Sequence, residues 1–236
     1  MPCAVFLTAW DYRNKMLQRV LEPEIMDTWE DAAEYDAMDF TDVNAAFAQR
    51  AVEVGPRSGL VLDAGTGTAR IPILICQQRP DWRMIGIDLS KNMLVIGSKN
   101  ILKAGLVHQI DLQLIDAKTL PYQDAHFDMV ISNSIVHHIP DPIPFLHEVK
   151  RVLKPSGAVL LRDLFRPPDE STLNAILERE CANDDEHQTM LFRNSLQAAF
   201  TLDEIRSMVD AAGIEGAHLY QSSDRHWTLE KQWSKE

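Results

Sequence analysis

The stretch from Leu60 to Arg70 constrains the fold of this chain more than any other. Residues 60–62 form an apolar run that suits a buried strand, a Gly-Thr-Gly turn follows at 65–67, and from Ala69 the apolar spacing becomes helical. Glycines in such a turn let a ligand approach the backbone closely, and the N-terminus of the following helix favours polar ligand groups. Strand, turn and helix together predict a site for a nucleotide-like ligand.

A second strand with an acidic end strengthens this prediction. The segment Trp82 to Asp88 reads as a buried strand about twenty residues further on, and a carboxylate in that place accepts ribose hydroxyls. Two cofactors fit, a nicotinamide dinucleotide and S-adenosylmethionine. The dinucleotide fingerprint G-x-G-x-x-G requires a small third residue, and Arg70 stands there instead.

The run Asp63-x-Gly65-x-Gly67 resembles motif I of the class I S-adenosylmethionine-dependent methyltransferases, D/E-x-G-x-G-x-G, with Ala69 at the place of the last glycine. The resemblance implies that Asp63 lies near the positively charged amino end of the methionine moiety. A dinucleotide pyrophosphate would gain nothing from this carboxylate.

Two later segments, Phe127 to Ile139 and Arg151 to Asp163, also resemble motifs of this family. The likeness is closest to the branch of the ubiquinone/menaquinone C-methyltransferases and related small-molecule enzymes, and it covers roughly Tyr35 to Asp163. The rest of the chain shows no family-specific signature for the methyl acceptor.

The resemblance implies a set of cofactor-binding residues. Asp88 is expected to accept the ribose hydroxyls and Asp116 the exocyclic amine of adenine. Tyr35 is expected to lie against the cofactor, with packing of the N-terminal region as the alternative. The predicted set comprises Tyr35, Asp63, Ala64, Gly65, Thr66, Gly67, Asp88, Leu89, Met93, Asp116, Ala117, Asn133 and Ser134.

Candidate catalytic residues follow the fourth and fifth strands, where ligands of open parallel sheets bind. Methyl transfer is an in-line displacement, and an oxygen or nitrogen acceptor also needs a base. His137 and His138 are the candidates for that base, and adjacent side chains are not expected to point at one atom. His138 is preferred, although the sequence does not fix the phase of the turn; the alternative is that one packs and the other is exposed. Asp163 is a second base candidate. Arg166 and Arg193 are predicted to hold an acidic acceptor.

Alternating strands and helices predict an α/β fold, a Rossmann-like, doubly wound, mostly parallel seven-stranded sheet that ends in an antiparallel hairpin. Residues 1–56 are predicted to form a helical lid, with helices at Asp11–Leu21 and Asp42–Val54. Residues 57–236 form the core, 164–200 being an insertion on the acceptor side, and the whole chain is one domain. The hairpin favours a methyltransferase, since a dehydrogenase would continue into a parallel half or a separate domain.

The composition of the chain limits the classes of partner and the cellular location that are expected. The chain has 23 basic and 35 acidic residues and a formal charge of -12, which disfavours nucleic acid as a partner. Cys3, Cys76 and Cys181 form no C-x-x-C pair, and there is no membrane-span or signal-peptide pattern, so a cytoplasmic protein is expected. The polar residues 181–187 lack metal-ligand spacing; a solvated loop and no metal site are expected.

The sequence therefore predicts an enzyme that uses S-adenosylmethionine to methylate a small molecule. Two alternatives stay open. One is a nicotinamide-dependent oxidoreductase of the Rossmann type, and the other is a non-catalytic cofactor-binding protein of the same fold.

Overall fold

The computed structural model describes residues 16–22, 28–182 and 185–234, which form one sheet with helices on both faces. Its strands are β1 (Gly59–Ala64), β2 (Trp82–Asp88), β3 (Ile110–Leu114), β4 (Phe127–Asn133), β5 (Leu153–Leu164), β6 (His218–Gln221) and β7 (His226–Lys231). The described helices are α1 (Trp29–Ala37), α2 (Thr41–Val54), α3 (Arg70–Gln78), α4 (Lys91–Ala104), α5 (Ile143–Val152), α6 (Glu170–Glu180), α7 (Glu186–Ala198) and α8 (Leu202–Ala212). A 3₁₀ turn spans Val136–His138.

The seven strands lie in the order β3-β2-β1-β4-β5-β7-β6. Strand β7 runs antiparallel to both of its neighbours, and the other pairs are parallel. The chain proceeds outward from β1 through β2 to β3 and then returns to β4 on the other side of β1. This reversal creates a crevice at the carboxyl ends of β1 and β4, the usual ligand position in such sheets. The predicted fold class is confirmed.

Large apolar side chains hold the sheet between its helices. Phe47 of α2 packs with Trp82 on one face, and Phe127 packs with Phe145 of α5 on the other. All four are at most 1% exposed. Burial of each phenylalanine stabilises the fold by about 1.5–3 kcal/mol. The strand ends that carry the polar residues are therefore firmly supported.

Helix ends follow local chemistry. The hydroxyl of Ser90 accepts a hydrogen bond from Met93 N at 3.2 Å and starts α4, and Gly105, with φ of 72°, ends it. The prediction of a solvated loop at 181–187 is wrong in part. Glu186 and His187 are helical, because Asp185 and Gln188 form a capping box that starts α7. Cys181 is not solvated, since it is only 8% exposed.

The N-terminal region is helical only in part. The helix predicted for 42–54 is confirmed as α2, whereas 16–22 are not helical; residues 11–15 lie outside the described part of the chain. We call residues 16–22 the strap. Its backbone bonds to the 164–200 stretch instead of to itself, with Leu17 N donating to Pro168 O at 3.0 Å and Val20 N to Gln197 O at 3.1 Å.

Helix α1 lies over one end of the pocket described below. It buries Ala32 against Met93 and Ile96 of α4, with Tyr35 packed beside them. No helix of the described residues is long and apolar enough to cross a membrane. The division of the chain at residue 57 stays a prediction.

Candidate cofactor and acceptor site

A pocket opens at the carboxyl ends of β1 to β4. Many of the residues predicted from the sequence line it, namely Tyr35, Gly65, Gly67, Asp88, Leu89, Met93, Asp116, Ala117, Asn133, Ser134 and His138. Sequence reasoning missed the further lining residues Ile87, Ser90, Ile115, Lys118, Ile135 and Ile139. The sequence contains a signal that could have identified Ile87 and Ile115 as lining residues, because each directly precedes a carboxylate predicted to bind the cofactor.

The glycine turn forms the floor of this pocket. Gly65 has a φ of +75°, and a Cβ added there would lie 1.9 Å from Cγ2 of Ile135, so a side chain would be both strained and crowded. Gly67 N donates to Oδ2 of Asp88 at 2.9 Å, while Ser90 N donates to Oδ1 at 2.8 Å. Asp88 is thus held against the turn, and burial raises the pKa of its carboxyl.

Asp63, at the end of β1, is a buried carboxylate that lacks a full set of partners. It is 2% exposed, and its Oδ2 has no hydrogen-bond partner among the described residues. Burial raises the pKa of Asp63 to about 7, which the hydroxyl of Thr66 opposes and the Asp88 carboxylate reinforces. A cationic ligand group nearby would stabilise the ionised form of Asp63. This chemistry fits the charged amino end of S-adenosylmethionine.

Tyr35 of α1 covers the turn from the opposite side. A Cβ built on Gly67 would lie 3.5 Å from Cε1 of Tyr35, so the ring is close to the glycine backbone. The ring also packs against Phe40, with 5.3 Å between centroids. Burial, followed by the Asp88 carboxylate, raises the pKa of the Tyr35 phenol to about 12. Tyr35 both packs α1 and lines the pocket, so its two predicted roles are compatible.

The third and fourth strands supply the remaining polar wall. Asp116 accepts from Lys118 N at 2.8 Å, and Lys118 Nζ lies 3.2 Å from the same carboxylate. At the end of β4, the side-chain oxygen of Asn133 accepts from Nε of Arg162 at 3.0 Å. Ser134 adopts φ of +62°, uncommon for a residue with a side chain. Such strain at the end of a central strand is a common property of functional sites.

A buried cluster of titratable groups lies behind the 3₁₀ turn. His137 Nδ1 is 2.5 Å from Oδ1 of Asp163, and Oδ2 of Asp163 accepts from the backbone N of Val136 and His137. His138 Nδ1 lies 3.1 Å and His137 Nε2 3.4 Å from the same oxygen, Oε1 of Glu22 in the strap. The expectation that adjacent histidines do not point at one atom is therefore wrong, because the tight turn brings their rings to 4.1 Å between centroids.

Opposite charges set the protonation of this cluster. Burial lowers the pKa of His137, but the carboxylates of Asp163 and Glu22 outweigh it and the net direction is upward. Burial likewise raises the pKa of Asp163, yet His137 reverses the effect and the net direction is downward. Burial raises the pKa of Glu22, against the opposing influence of His137 and Ser195. His137 and Asp163 therefore form a charged, buried pair.

The remaining predicted residues lie outside the pocket lining. Asp63, Ala64 and Thr66 are buried at and just before the glycine turn, and His137 and Asp163 are buried beside His138. Arg166 is 7% exposed and donates to Ala199 O at 2.9 Å and to Glu204 at 3.0 Å. Arg193 on α7 donates to Asn174 and pairs with Glu170. The acceptor-binding role of the two arginines stays a prediction.

The central part of the chain is similar to a known family of domains. Residues 62–161 match a family model described as a methyltransferase domain. The strand order and the motif residues Asp63, Gly65 and Asp88 agree with the resemblance of this segment to the class I S-adenosylmethionine-dependent methyltransferases. The family resemblance seen in the sequence and the cofactor that it implies are confirmed.

Individual relatives are methyltransferases with different acceptors. The chain is 37% identical over 112 residues to the ubiquinone/menaquinone biosynthesis C-methyltransferase of Desulfotalea psychrophila, covering 48% of this chain and 44% of that protein. It is 28% identical over 155 residues to the 27-O-demethylrifamycin SV methyltransferase of Amycolatopsis mediterranei, covering 66% and 53%. The chain thus spans about half the length of the relatives that it matches.

Among solved structures, a Methanococcus maripaludis protein assigned to the S-adenosyl-L-methionine-dependent methyltransferases superimposes with a TM-score of 0.71. The comparison covers 92% of this chain and 99% of that one at 20% identity. It shows a shared fold across nearly the whole length of both chains.

Proposed function

We propose that this protein is an enzyme that binds S-adenosylmethionine in the pocket and transfers its methyl group to a small molecule. The observation that supports this best is the negative charge of the carboxylates in and next to the pocket. Asp88 and Asp116 line the pocket, Asp63 is buried at the end of β1 just before the glycine turn, and the Lys118 ammonium in the lining is paired with Asp116 at 3.2 Å. Such a pocket attracts a cationic sulfonium and ammonium and repels a pyrophosphate, which argues against a nicotinamide dinucleotide.

In this proposal, the chain's own residues bind the cofactor and orient the acceptor. When bound, S-adenosylmethionine supplies a methyl carbon on a positively charged sulfur, which is an excellent leaving group. Asp63 pairs with the ammonium group, Asp88 accepts the ribose hydroxyls, and Tyr35 covers the cofactor. Much of the rate enhancement then comes from holding the acceptor in line and excluding water.

The acceptor side is formed by the His138 end of the pocket. His138 lines it, and we propose that this side chain contacts the acceptor, while the buried pair of His137 and Asp163 positions the turn. The lid proposed for residues 1–56 is supported by Tyr35 and by the strap. The strap also contacts the 164–200 stretch, where Arg19 Nε donates to Ala198 O at 2.6 Å. This contact supports the assignment of 164–200 to the acceptor side.

Cofactor choice is tested by calorimetric titration with S-adenosylhomocysteine and, separately, with NADH. We expect one S-adenosylhomocysteine per chain and no NADH. Asp88→Ala should weaken binding, whereas the control Asp111→Asn, which alters an exposed carboxylate on β3, should not. Preference for NADH, or equal binding by both variants, would refute the proposed site.

Activity is tested with labelled S-adenosylmethionine and a cell extract. Label should appear in the small-molecule fraction and should be lost with Asp88→Ala. Label confined to protein or nucleic acid would contradict the small-molecule acceptor. The exclusion of nucleic acid and the cytoplasmic location stay predictions from the sequence.

A further inference from the structure

Glu22, His137 and His138 converge beside the acceptor end of the pocket. Oε1 of Glu22 lies 3.4 Å from Nε2 of His137 and 3.1 Å from Nδ1 of His138. The donor atoms of all three residues lie within 4.8 Å of one another. We propose that these side chains form a binding site for a divalent transition-metal ion of the zinc type.

The separations of the donor atoms fit a shared ion. Nitrogen and oxygen ligands bind zinc at about 2.0–2.2 Å, so two ligands at tetrahedral or right angles lie roughly 2.9–3.5 Å apart. Both distances from Glu22 Oε1 fall within that interval. An ion would therefore need little rearrangement of the glutamate relative to either imidazole.

The surroundings of His137 have the form that metal-bound histidines require. Oδ1 of Asp163 lies 2.5 Å from Nδ1 of the His137 ring, so the other ring nitrogen, Nε2, is directed at Glu22. Oδ2 of Asp163 is itself held by backbone N–H groups of the 3₁₀ turn. A carboxylate that orients a histidine in this way is the usual outer partner of a metal ligand.

Charge balance also favours a cation here. Glu22 Oε1 is buried, and its near neighbours among the described residues include the two imidazole nitrogens at 3.1 and 3.4 Å, neither in hydrogen-bond geometry. Asp163 adds a second buried carboxylate. Arg19 of the strap directs its donors to backbone carbonyls, including His137 O at 3.2 Å and Ile139 O at 3.0 Å. Buried carboxylates are costly unless they are paired or bind a metal. A divalent ion would take the place of the Nε2 proton of His137, so its charge would balance Glu22 and Asp163 together.

The donor set selects the kind of ion and of substrate. Two imidazoles with one carboxylate suit zinc, cobalt or iron, whereas magnesium and calcium require mostly oxygen ligands. Three protein ligands leave a position for water or a substrate oxygen. The following step rests on the proposed function: since His138 also lines the pocket, the acceptor would be a molecule with a hydroxyl or enol oxygen that binds the ion. His138 would then act as a ligand instead of a base.

The test is metal titration of the full chain after chelator treatment and dialysis. Co²⁺ serves as the spectroscopic probe through its visible ligand-field bands, and Zn²⁺ binding is measured by calorimetry. We expect one tight site per chain. Glu22→Gln should weaken it at least about 10–100-fold, the range known for loss of even an outer partner. The matched control is Glu34→Gln, because Glu34 lies 3.7 Å from Nε2 of the exposed His187 and pairs with it on the surface.

The outcomes separate this proposal from the proposed function. Tight Co²⁺ binding that survives Glu34→Gln and is lost with Glu22→Gln and with His138→Gln supports the metal site, whether or not S-adenosylhomocysteine binds. Binding of S-adenosylhomocysteine without Co²⁺, or equal Co²⁺ affinity in wild type and Glu22→Gln, overturns the metal site and leaves the methyltransferase proposal intact. Circular dichroism confirms that each variant is folded.

Discussion

Replacement of Asp63 by asparagine tests the charge argument most directly. Burial raises the pKa of Asp63 from 3.8 to about 7, so the folded chain holds a proton there that the unfolded chain has released. A carboxyl with a raised pKa contributes stability below about pH 4, and this contribution is lost as the pH rises through about 7. The difference of about three pH units corresponds to at most roughly 4 kcal/mol, at 1.36 kcal/mol per unit. Asparagine resembles the protonated carboxyl and does not ionise.

We therefore expect Asp63→Asn and wild type to have similar free energies of unfolding near pH 4. Near pH 8 the variant should be more stable, by up to about 4 kcal/mol. Urea denaturation at several pH values measures this, and the difference between the two proteins cancels the titration of unchanged groups. Cofactor should narrow this difference, since loss of a charged hydrogen bond weakens cofactor binding to the variant by about 1.5–3 kcal/mol. A difference independent of pH, or cofactor affinity unchanged in the variant, would refute the reasoning.

Three further predictions concern the turn and the strap. Asp88→Ala should weaken S-adenosylhomocysteine binding by roughly 2–4 kcal/mol in calorimetry, and unchanged binding would mean that the ribose lies elsewhere. Gly65→Ala should lower the free energy of unfolding by about 2 kcal/mol or more, because its Cβ would lie 1.9 Å from Ile135 Cγ2. The control Gly105→Ala, where a Cβ meets nothing within 4 Å, should lose only the roughly 1–2 kcal/mol of the left-handed backbone. Arg19→Ala should speed proteolytic cleavage of the strap without changing cofactor affinity; equal cleavage rates would show that its hydrogen bonds do not anchor the strap.

The elements of the fold could be predicted because local rules determine them. Short apolar runs predict the parallel strands, and the cap residues Ser90 and Gly105 mark both ends of α4 in the sequence itself. The capping box of Thr201 and Glu204 has the same local signature and starts α8. The start of α7 was missed although Asp185 and Gln188 have the spacing of a capping box, since the polarity of residues 181–187 was interpreted as a loop.

The cofactor end of the site was predictable for a related reason. In a parallel sheet, the carboxyl ends of the strands share one edge, so Asp88, Asp116 and Asn133, each at or just after the end of its strand, meet there whatever the helices between them do. Their positions in sequence relative to the strands were sufficient to bring them together. The partners that hold them, such as Lys118 for Asp116 and Arg162 for Asn133, required the structure.

The acceptor end depends on contacts that no local pattern contains. The apolar spacing before Glu22 predicted a helix, in which nothing would direct this carboxylate toward two histidines 115 and 116 positions away. The strap instead follows the 164–200 stretch through long-range backbone bonds, and Arg19 joins it to the carbonyls of the 3₁₀ turn. Asp163 binds that same turn from below and leaves both imidazoles facing the strap. Under the proposed function, the acceptor would therefore bind where irregular segments meet, and the cofactor motif contains none of these contacts.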